Sequence, residues 1–405
     1  MPAVMPFGHV AVLRVRDFRI LSLACAFNSV GTVGEQVVLG WLTLELTNSP
    51  LMVGLALGLR MVPLLFVGIP AGIIADRTNR NRLIRTASAA MAAASALLGF
   101  LALVGVVRVW HLLLVTVVAG CVRALHQAAR QSYTHDLVGA GELVNAIAVL
   151  GLAMRGGGLV GSLLTGALIA RFGAGAGYLA VAAGYLTSAI VLLPASPSAP
   201  RVTAAPGPLW ASLVHFVRVL RRDRLLPGLM LLTAGAEILG FSHQALLPSL
   251  ARDVLQVGAD GLGVMTGARS VGGILGIVVI SSLGQARTTG TFFLGVLLVF
   301  GGSLMALAFA SSFLWVVLLL IVVNAMGSVS DVLSQSLIQL SVPSGLRGRA
   351  GGAWVLAIGT APLGQLQIGA LASVLGVSAA FGLSGLALVV MAAVGAYCFP
   401  RLRTL

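Results

Sequence analysis

Residues 72–84 read GIIADRTNRNRLI, a burst of charge between two long apolar stretches. Before it, Leu51–Ala75 carries a single charge, Arg60, and after it Thr86–Val107 carries none. An apolar helix of about 20 residues crosses the roughly 30 Å hydrocarbon core of a bilayer. Because both flanks are long enough for such a helix, the charged residues are predicted to form a short loop at one face of a membrane.

Composition indicates a membrane protein over the whole chain. Of its 405 residues, 58% are hydrophobic and 9% are charged, and the mean hydropathy is +1.04. Soluble domains have many more charged residues. We predict an all-α membrane protein with twelve transmembrane helices, at roughly 20–44, 51–75, 86–107, 111–133, 143–170, 174–195, 226–250, 259–283, 289–310, 313–337, 350–373 and 377–399.

The arginines predict the topology. All 25 basic residues are arginine, and the net charge is +14. With both termini in the cytoplasm, 18 of these arginines fall in cytoplasmic segments, where short loops of membrane proteins concentrate positive charge. The positive charge is therefore interpreted as a topology signal that also attracts anionic lipid, and no nucleic-acid partner is expected.

Neither a cleaved signal peptide nor a metal or cofactor site is expected. The first span is too long for a signal-peptide core and is not followed by a small-residue cleavage site. The three cysteines, Cys25, Cys121 and Cys398, lie in apolar helices without the spacing of metal ligands, and are interpreted as small core residues.

An internal repeat divides the chain near its middle. The pattern G-x3-G-x-R-x-V occurs at Gly54–Val62 and again at Gly263–Val271, 209 residues later. We predict two six-helix halves, 1–196 and 225–405. Residues 197–224 are predicted to be a cytoplasmic linker whose second part is an amphipathic basic helix on the membrane surface.

Several motifs resemble those of the major facilitator superfamily. The pattern G-x-x-x-D-R-x-x-R, formed by Gly72, Asp76, Arg77 and Arg80, is similar to the superfamily's signature loop between its second and third helices. The run W-L-x-x-x-L-T-x-S-P at 41–50 resembles the enterobactin-exporter-like, or transmembrane secretion effector, branch. Further motifs of that branch are Ala129-Arg130-Gln131 with Asp136-Leu137-Val138, Leu247-Pro248, Val342-Pro343 with Arg347-Gly348-Arg349, and Pro362-Leu363-Gly364.

This resemblance implies a fold and a working cycle. It implies a bacterial inner-membrane exporter of siderophores, drugs or other metabolites, driven by the proton gradient. The signature loop is then expected to bias the protein between inward-open and outward-open conformations.

Two motifs depart from the superfamily pattern. The exporter motif of the fifth helix, G-x-x-x-G-P-x-x-G-G, here has Ser162 in place of its proline. Its small residues Gly157, Gly161 and Gly166 still predict close helix packing, although without a proline kink. The second-half copy of the signature loop, at 281–287, has Gln285 where the first has aspartate, so an asymmetric inner gate is expected.

Charges inside the predicted spans are the candidate functional residues. A lone charge in the bilayer is costly, so each is expected to face a cavity and find a partner. Glu35 and Arg123 lie within about 5 Å in depth on spans that line the cavity in this superfamily, and are predicted partners. For each acid the alternative is a fixed salt bridge between helices, and for Arg60 and Arg269 it is capping of carbonyl groups or pairing across the interface between the two halves. The candidates for proton coupling or cavity lining are Glu35, Arg123, His126, Glu237, His243 and Asp331.

The predicted function is proton-coupled export of a small amphiphilic metabolite, siderophore or drug by alternating access. The alternative is an uncoupled facilitator or lipid flippase on the same fold. An enzyme is not expected, because the sequence has no HExxH motif and no phosphate-binding loop. The expected partners are the substrate, protons and membrane lipid, with the protein a monomer. Four arginines inside the spans, against three acids, agree with an anionic group on the substrate, although the difference is a single charge.

Overall fold

A computed structural model describes residues 12–197, 225–282, 289–341 and 354–404. The predicted linker helix, the second-half loop copy with Gln285 and the motif at 342–349 lie outside the described residues. The α-helices are α1 (Arg16–Thr47), α2 (Pro50–Leu59), α3 (Val62–Arg77), α4 (Arg80–Leu103), α5 (Val109–Val191), α6 (Leu225–Gly235), α7 (Leu247–Ser249), α8 (Gly258–Ser282), α9 (Gly290–Ala308), α10 (Phe313–Leu340), α11 (Ala361–Leu375) and α12 (Val377–Cys398).

The stretch α5 holds three membrane crossings, which are separated by two breaks in the helix. Its backbone leaves the helical conformation at Gly139 and Gly173, where φ is 70° and 81°. Glycine adopts such positive φ values without the steric cost that a side chain brings. Ten described segments are long and apolar enough to cross a membrane, and one of them, Gly141–Val191, spans the break at Gly173 and so contains two crossings. With the 32-residue α1, this agrees with the predicted twelve-helix fold.

The second predicted span is not one continuous helix. It is divided into α2 and α3 by a turn at Arg60 and Met61. Pro63 explains the break, because it has no N–H to donate to the carbonyl group of Leu59 one turn earlier. The break places Arg60 where two helix ends meet.

The seventh predicted span is also irregular. After α6, residues Ala236–Gly240 form a π-helix and Phe241–Leu246 a 3₁₀-helix, and a second π-helix follows at Leu250–Val254. Such π-helical turns are rare and occur frequently at functional sites. Glu237, a candidate residue, lies in the first of them.

The chain folds into two compact units. The first unit comprises Met1–Asn48, Leu59–Thr203 and Val257–Ser270, and within it α1 and α4 both pack on α5. The second unit comprises Ser49–Gly58, Ala204–Gln256 and Val271–Leu405, and within it α9 packs on α12 and α10. The division into halves at 196 and 225 stays a prediction.

A close glycine-to-glycine contact between two helices occurs once in each unit. In the first unit, a methyl group added to Gly166 would lie 2.7 Å from Cα of Gly263. In the second, a methyl group on Gly54 would lie 3.3 Å from Cα of Gly369. Gly54 and Gly263 are equivalent in the sequence repeat, and so are Gly166 and Gly369, so the same close helix contact is formed twice.

Candidate functional site

A buried carboxylate is the centre of the first unit's polar interior. Glu35, in α1, has 6% of its surface exposed. Its Oε2 accepts hydrogen bonds from Nη2 of Arg123 at 2.6 Å and from the hydroxyl of Tyr185 at 2.6 Å. Nε of Arg60 lies 3.7 Å from Oε1. The predicted pairing of Glu35 with Arg123 is therefore present, whereas its role in proton coupling stays a prediction.

Arg60 joins this cluster through the break between α2 and α3. Its Nη2 donates to the backbone carbonyl of Thr32 at 2.7 Å, which agrees with the alternative that it caps a carbonyl group. The Tyr185 hydroxyl also lies 3.3 Å from Oγ1 of Thr32. One carboxylate is thus shared by two guanidinium groups, and its hydrogen bond from Tyr185 joins α1 to α5.

Two further arginines extend the positive charge. They are Arg155 in α5 and Arg269 in α8, and both belong to the first unit, as Arg60 does. Several N–H groups of the cluster are buried and have no hydrogen-bond acceptor among the described residues; they are Nε of Arg60 and both Nε and Nη1 of Arg123. Buried donors of this kind normally have a partner.

His126 lies beside the cluster. It is buried, and Arg123 and Arg130 lie three residues before it and four residues after it on the same helix, and so on the same face. Its surroundings are therefore positively charged.

The remaining candidates lie in the second unit. Glu237 lies in the first π-helix, which packs on α10, the helix that carries Asp331. His243 is fully buried, and its Nδ1 lies 2.7 Å from the carbonyl oxygen of Gly240, so Nδ1 carries the proton. Nε2 of His243 lies 3.5 Å from the amide nitrogen of Asn324. His243 therefore connects the irregular seventh span to α10.

Arg80 organises the charged loop that joins α3 to α4. Its side chain is 3% exposed and forms ion pairs with Asp136 near the end of an α5 crossing and, at 3.2 Å, with Asp76 at the end of α3. Arg77 is exposed, and a methyl group on Gly72 would meet no atom within 4 Å. Of the four residues of the signature-loop motif, only Arg80 and Asp76 form an ion pair with each other among the described contacts.

Asn81, which follows Arg80 in the chain, and Tyr133 form hydrogen bonds with the segment after α5. Nδ2 of Asn81 donates to the carbonyl oxygens of Leu192 and Ala195 at 3.4 and 3.2 Å. The hydroxyl of Tyr133 donates to the carbonyl oxygen of Ser196 at 2.8 Å. These bonds satisfy carbonyl groups just after α5 that have no partner within the helix.

Sequence reasoning missed several of these residues. Asp136 belongs to one of the motifs of the exporter branch, so the sequence did point to it, although no role was predicted for it. Tyr185 and Asn81 have no such signal, because a lone tyrosine or asparagine in a helix is compatible with many positions.

The glycine motif packs α5 against other helices of the first unit. Methyl groups on Gly157 and Gly161 would collide with the backbone carbonyls of Ala26 and Val30 in α1. Gly166 packs on α8 in the same way. Ser162, which replaces the motif's proline, donates its hydroxyl to the carbonyl of Leu159 at 2.9 Å, and the helix continues through this position.

Comparison with known proteins gives one family over almost the whole chain. The sequence model of the family described as transmembrane secretion effector matches residues 7–404. The enterobactin exporters EntS of Shigella boydii and Salmonella typhi are each 28% identical to this chain, over 333 and 334 residues. Each alignment covers 79% of this chain and 78% of the relative.

Solved transporter structures have the same fold. A bacterial homologue of the human lysosomal transporter Spinster, in an inward-facing and unoccupied conformation, has a TM-score of 0.76 at 15% identity and covers 98% of this chain and 99% of its own. The peptide transporter POT in complex with sulfate has a TM-score of 0.75 at 14% identity and covers 96% of this chain and 95% of its own. At these identities the likeness concerns the fold alone.

Proposed function

Because the chain belongs to the transmembrane secretion effector family of the major facilitator superfamily, we propose that it exports a small amphiphilic metabolite, siderophore or drug in exchange for protons. The chain is a multi-pass membrane transporter and not an enzyme. Its proposed location is the bacterial inner membrane, with both termini in the cytoplasm. Alternating access is the proposed cycle, and the monomer is the proposed functional unit.

The observation that carries this proposal is the coordination of Glu35. Its carboxylate is the shared counter-ion of Arg123 and Arg60. A proton on Oε2 would remove the negative charge that both guanidinium groups face, leaving two positive charges together in the interior. Because such charges are costly when unpaired, the protonated and ionised proteins should prefer different arrangements of these helices.

The Arg80 network supports the conformational part of the cycle. A buried arginine between Asp76 and Asp136 ties together the end of α3, the start of α4 and a crossing of α5. Contacts of this kind that form in one state and break in the other bias the equilibrium between the two states by a few kcal/mol.

Proton flux in reconstituted vesicles tests the proposal. A panel of siderophores and antibiotics would be added to vesicles holding the protein and a pH-sensitive dye. At least one compound should cause a proton flux that the empty vesicles lack. The Glu35→Gln variant should lose this flux and pH-driven transport, yet still exchange labelled for unlabelled substrate. Substrate exchange by the wild type without any proton flux would overturn the proton coupling.

An uncoupled facilitator or lipid flippase is the second candidate, and one observation favours it. Glu35 already has two arginines and a tyrosine hydroxyl as partners, which suits a fixed salt bridge between helices. In that case transport by the wild type would follow the substrate gradient alone at every imposed pH difference.

A further inference from the structure

We propose that the hydroxyl groups of Tyr185 and Thr32 form a proton relay that connects the buried carboxylate of Glu35 to water. The inference rests on the proposed exchange with protons and adds the path that the proton takes. The three side chains lie in the first unit, on α1 and α5. Oε2 of Glu35 lies 2.6 Å from the Tyr185 hydroxyl, and that hydroxyl lies 3.3 Å from Oγ1 of Thr32.

The first argument is the kind of group that contacts the carboxylate. Among the described residues, Oε2 of Glu35 has hydrogen bonds with Arg123 and Tyr185, and Oε1 lies 3.7 Å from Nε of Arg60. A guanidinium group is always protonated and has no acceptor, so neither arginine can take a proton from Glu35 and pass it on. A hydroxyl group both donates and accepts. Tyr185 is therefore the contact through which a proton on Oε2 can leave.

The second argument is access to water. Tyr185 is fully buried, so its hydroxyl cannot exchange a proton with solvent directly, whereas Thr32 is partly exposed. Asn28 and Gln36 lie four residues before and after Thr32 on α1, which makes this side of the helix polar. Polar side chains in a membrane helix face the protein interior or a water-filled cavity and not lipid. The exposed part of Thr32 is thus placed to meet water.

The third argument is that the chain of hydrogen bonds can reverse its direction. In the protonated protein, Oε2 of Glu35 gives its proton to the oxygen of Tyr185, which gives its own proton to Oγ1 of Thr32. Thr32 in turn gives its proton to water. Each O–H bond that breaks is replaced by a new one, so both hydroxyl groups are regenerated, the carboxylate becomes ionised and one hydronium ion is released. Uptake follows the same steps in reverse.

Thr32 is free to take part in both directions. Its other hydrogen-bond acceptor among the described residues, Oδ1 of Asn28, lies 3.5 Å away and holds the hydroxyl only weakly. The carbonyl group of Thr32, which accepts from Arg60, belongs to the backbone and is unaffected by a change of side chain. The hydroxyl of Thr32 can therefore be removed without removing a partner of Glu35.

The rate at which Glu35 takes up a proton tests the inference, with the proton itself as the probe. The purified protein in detergent is brought rapidly from neutral to acidic pH and followed by time-resolved infrared spectroscopy. A carboxyl C=O band that appears in the wild type and is absent from Glu35→Gln reports the protonation of Glu35. Thr32→Val keeps the shape of the side chain and should slow this band by about tenfold or more. Thr32→Ser keeps the hydroxyl and should restore the wild-type rate.

Two controls separate a relay from a structural role. A relay changes the rate and not the equilibrium, so the pH at which half of Glu35 is protonated should be the same in Thr32→Val and the wild type. Thr43→Val makes the same substitution in α1, at a buried hydroxyl without a hydrogen-bond partner among the described residues, and should keep the wild-type rate. A slower band in Thr32→Val together with a shifted midpoint would show that Thr32 acts through packing, and would overturn the relay.

The remaining outcomes also decide. A wild-type rate in Thr32→Val, a slow rate in Thr32→Ser, or no band that depends on Glu35 would each overturn the inference. If the wild type nevertheless shows proton flux in vesicles with a compound of the panel, the proposed exchange stands and only its path is wrong. A slower band in Thr32→Val at an unchanged midpoint, with no proton flux for any compound, would overturn the proposed exchange and leave the relay.

Discussion

Arg80 forms an ion pair with Asp136, which lies 56 residues further along the chain. The arginine is almost completely buried, and it reaches Asp76 with its other terminal nitrogen. Asp136 is 16% exposed and Asp76 36% exposed, so the pair with Asp136 is the better shielded from water.

We therefore expect Asp136→Asn to destabilise the protein more than Asp76→Asn does. Loss of the shielded partner leaves a buried guanidinium with one half-exposed carboxylate, at a cost of about 1–3 kcal/mol. Thermal unfolding in detergent would measure this as a lower midpoint for Asp136→Asn. Arg77→Gln is the control, because Arg77 is exposed and should shift the midpoint little. An equal midpoint for Asp136→Asn and the wild type would contradict the ranking.

Asp76→Asn should instead affect transport. Its half-exposed ion pair contributes about 0–1 kcal/mol to stability, so expression and membrane insertion should stay near normal. If the pair forms and breaks during the cycle, transport should fall severely. The measurement is substrate efflux from cells at matched protein levels. Full transport by Asp76→Asn would show that the charges of this loop only set the orientation of the helices in the membrane.

The number and kind of helices could be predicted from the sequence because each crossing needs a long apolar segment. The positions of charges in those segments also predicted that Glu35 and Arg123 pair, since depth follows from residue number along a helix. The partners that complete the site could not be predicted. Tyr185 lies 150 residues from Glu35 along the chain, and its hydroxyl reaches the carboxylate only through tertiary packing.

Irregular backbone was the other feature that periodicity did not predict. Pro63 was visible in the sequence, yet a proline in a membrane helix is compatible with a kink as well as with a break. Nothing in the residues 236–240 distinguishes a π-helix from an α-helix, because the choice depends on how Glu237 and its neighbours pack. Both irregular segments carry or adjoin a candidate residue.

Tyr185→Phe should destabilise the protein, whereas Tyr178→Phe should not. The first change removes a 2.6 Å hydrogen bond to a carboxylate, which contributes about 1.5–3 kcal/mol. The hydroxyl of Tyr178 is buried in the same unit without a hydrogen-bond partner among the described residues, so its loss should be neutral or stabilising. Unfolding midpoints of the two variants, measured side by side, check this. Equal midpoints would mean that the bond to Glu35 contributes nothing.

Gly161→Ala should be strongly destabilising, and Gly151→Ala is its matched control. Both glycines lie in α5, but a methyl group on Gly161 would collide with the carbonyl of Val30, whereas one on Gly151 would meet no atom of the described residues within 4 Å. Forced separation of packed helices costs about 1–3 kcal/mol. Alanine in an open helical position is instead better than glycine by up to about 1 kcal/mol. The yield of monodisperse protein and the unfolding midpoint should fall for the first variant only.

Glu35→Gln should cost more stability than Arg123→Gln, although the two residues are partners. Without Arg123, the Glu35 carboxylate keeps Arg60 at 3.7 Å and the hydroxyl of Tyr185. Without the carboxylate, two guanidinium groups share the interior with no counter-ion, and repulsion adds to the loss of the ion pair. The double variant should then be more stable than the two single changes predict, with a coupling energy of about 1–3 kcal/mol for residues in direct contact. Unfolding midpoints of the wild type and the three variants give this coupling. Additive effects would show that Glu35 and Arg123 do not interact in the folded protein, and a larger loss for Arg123→Gln would show that Arg60 is not a counter-ion of Glu35.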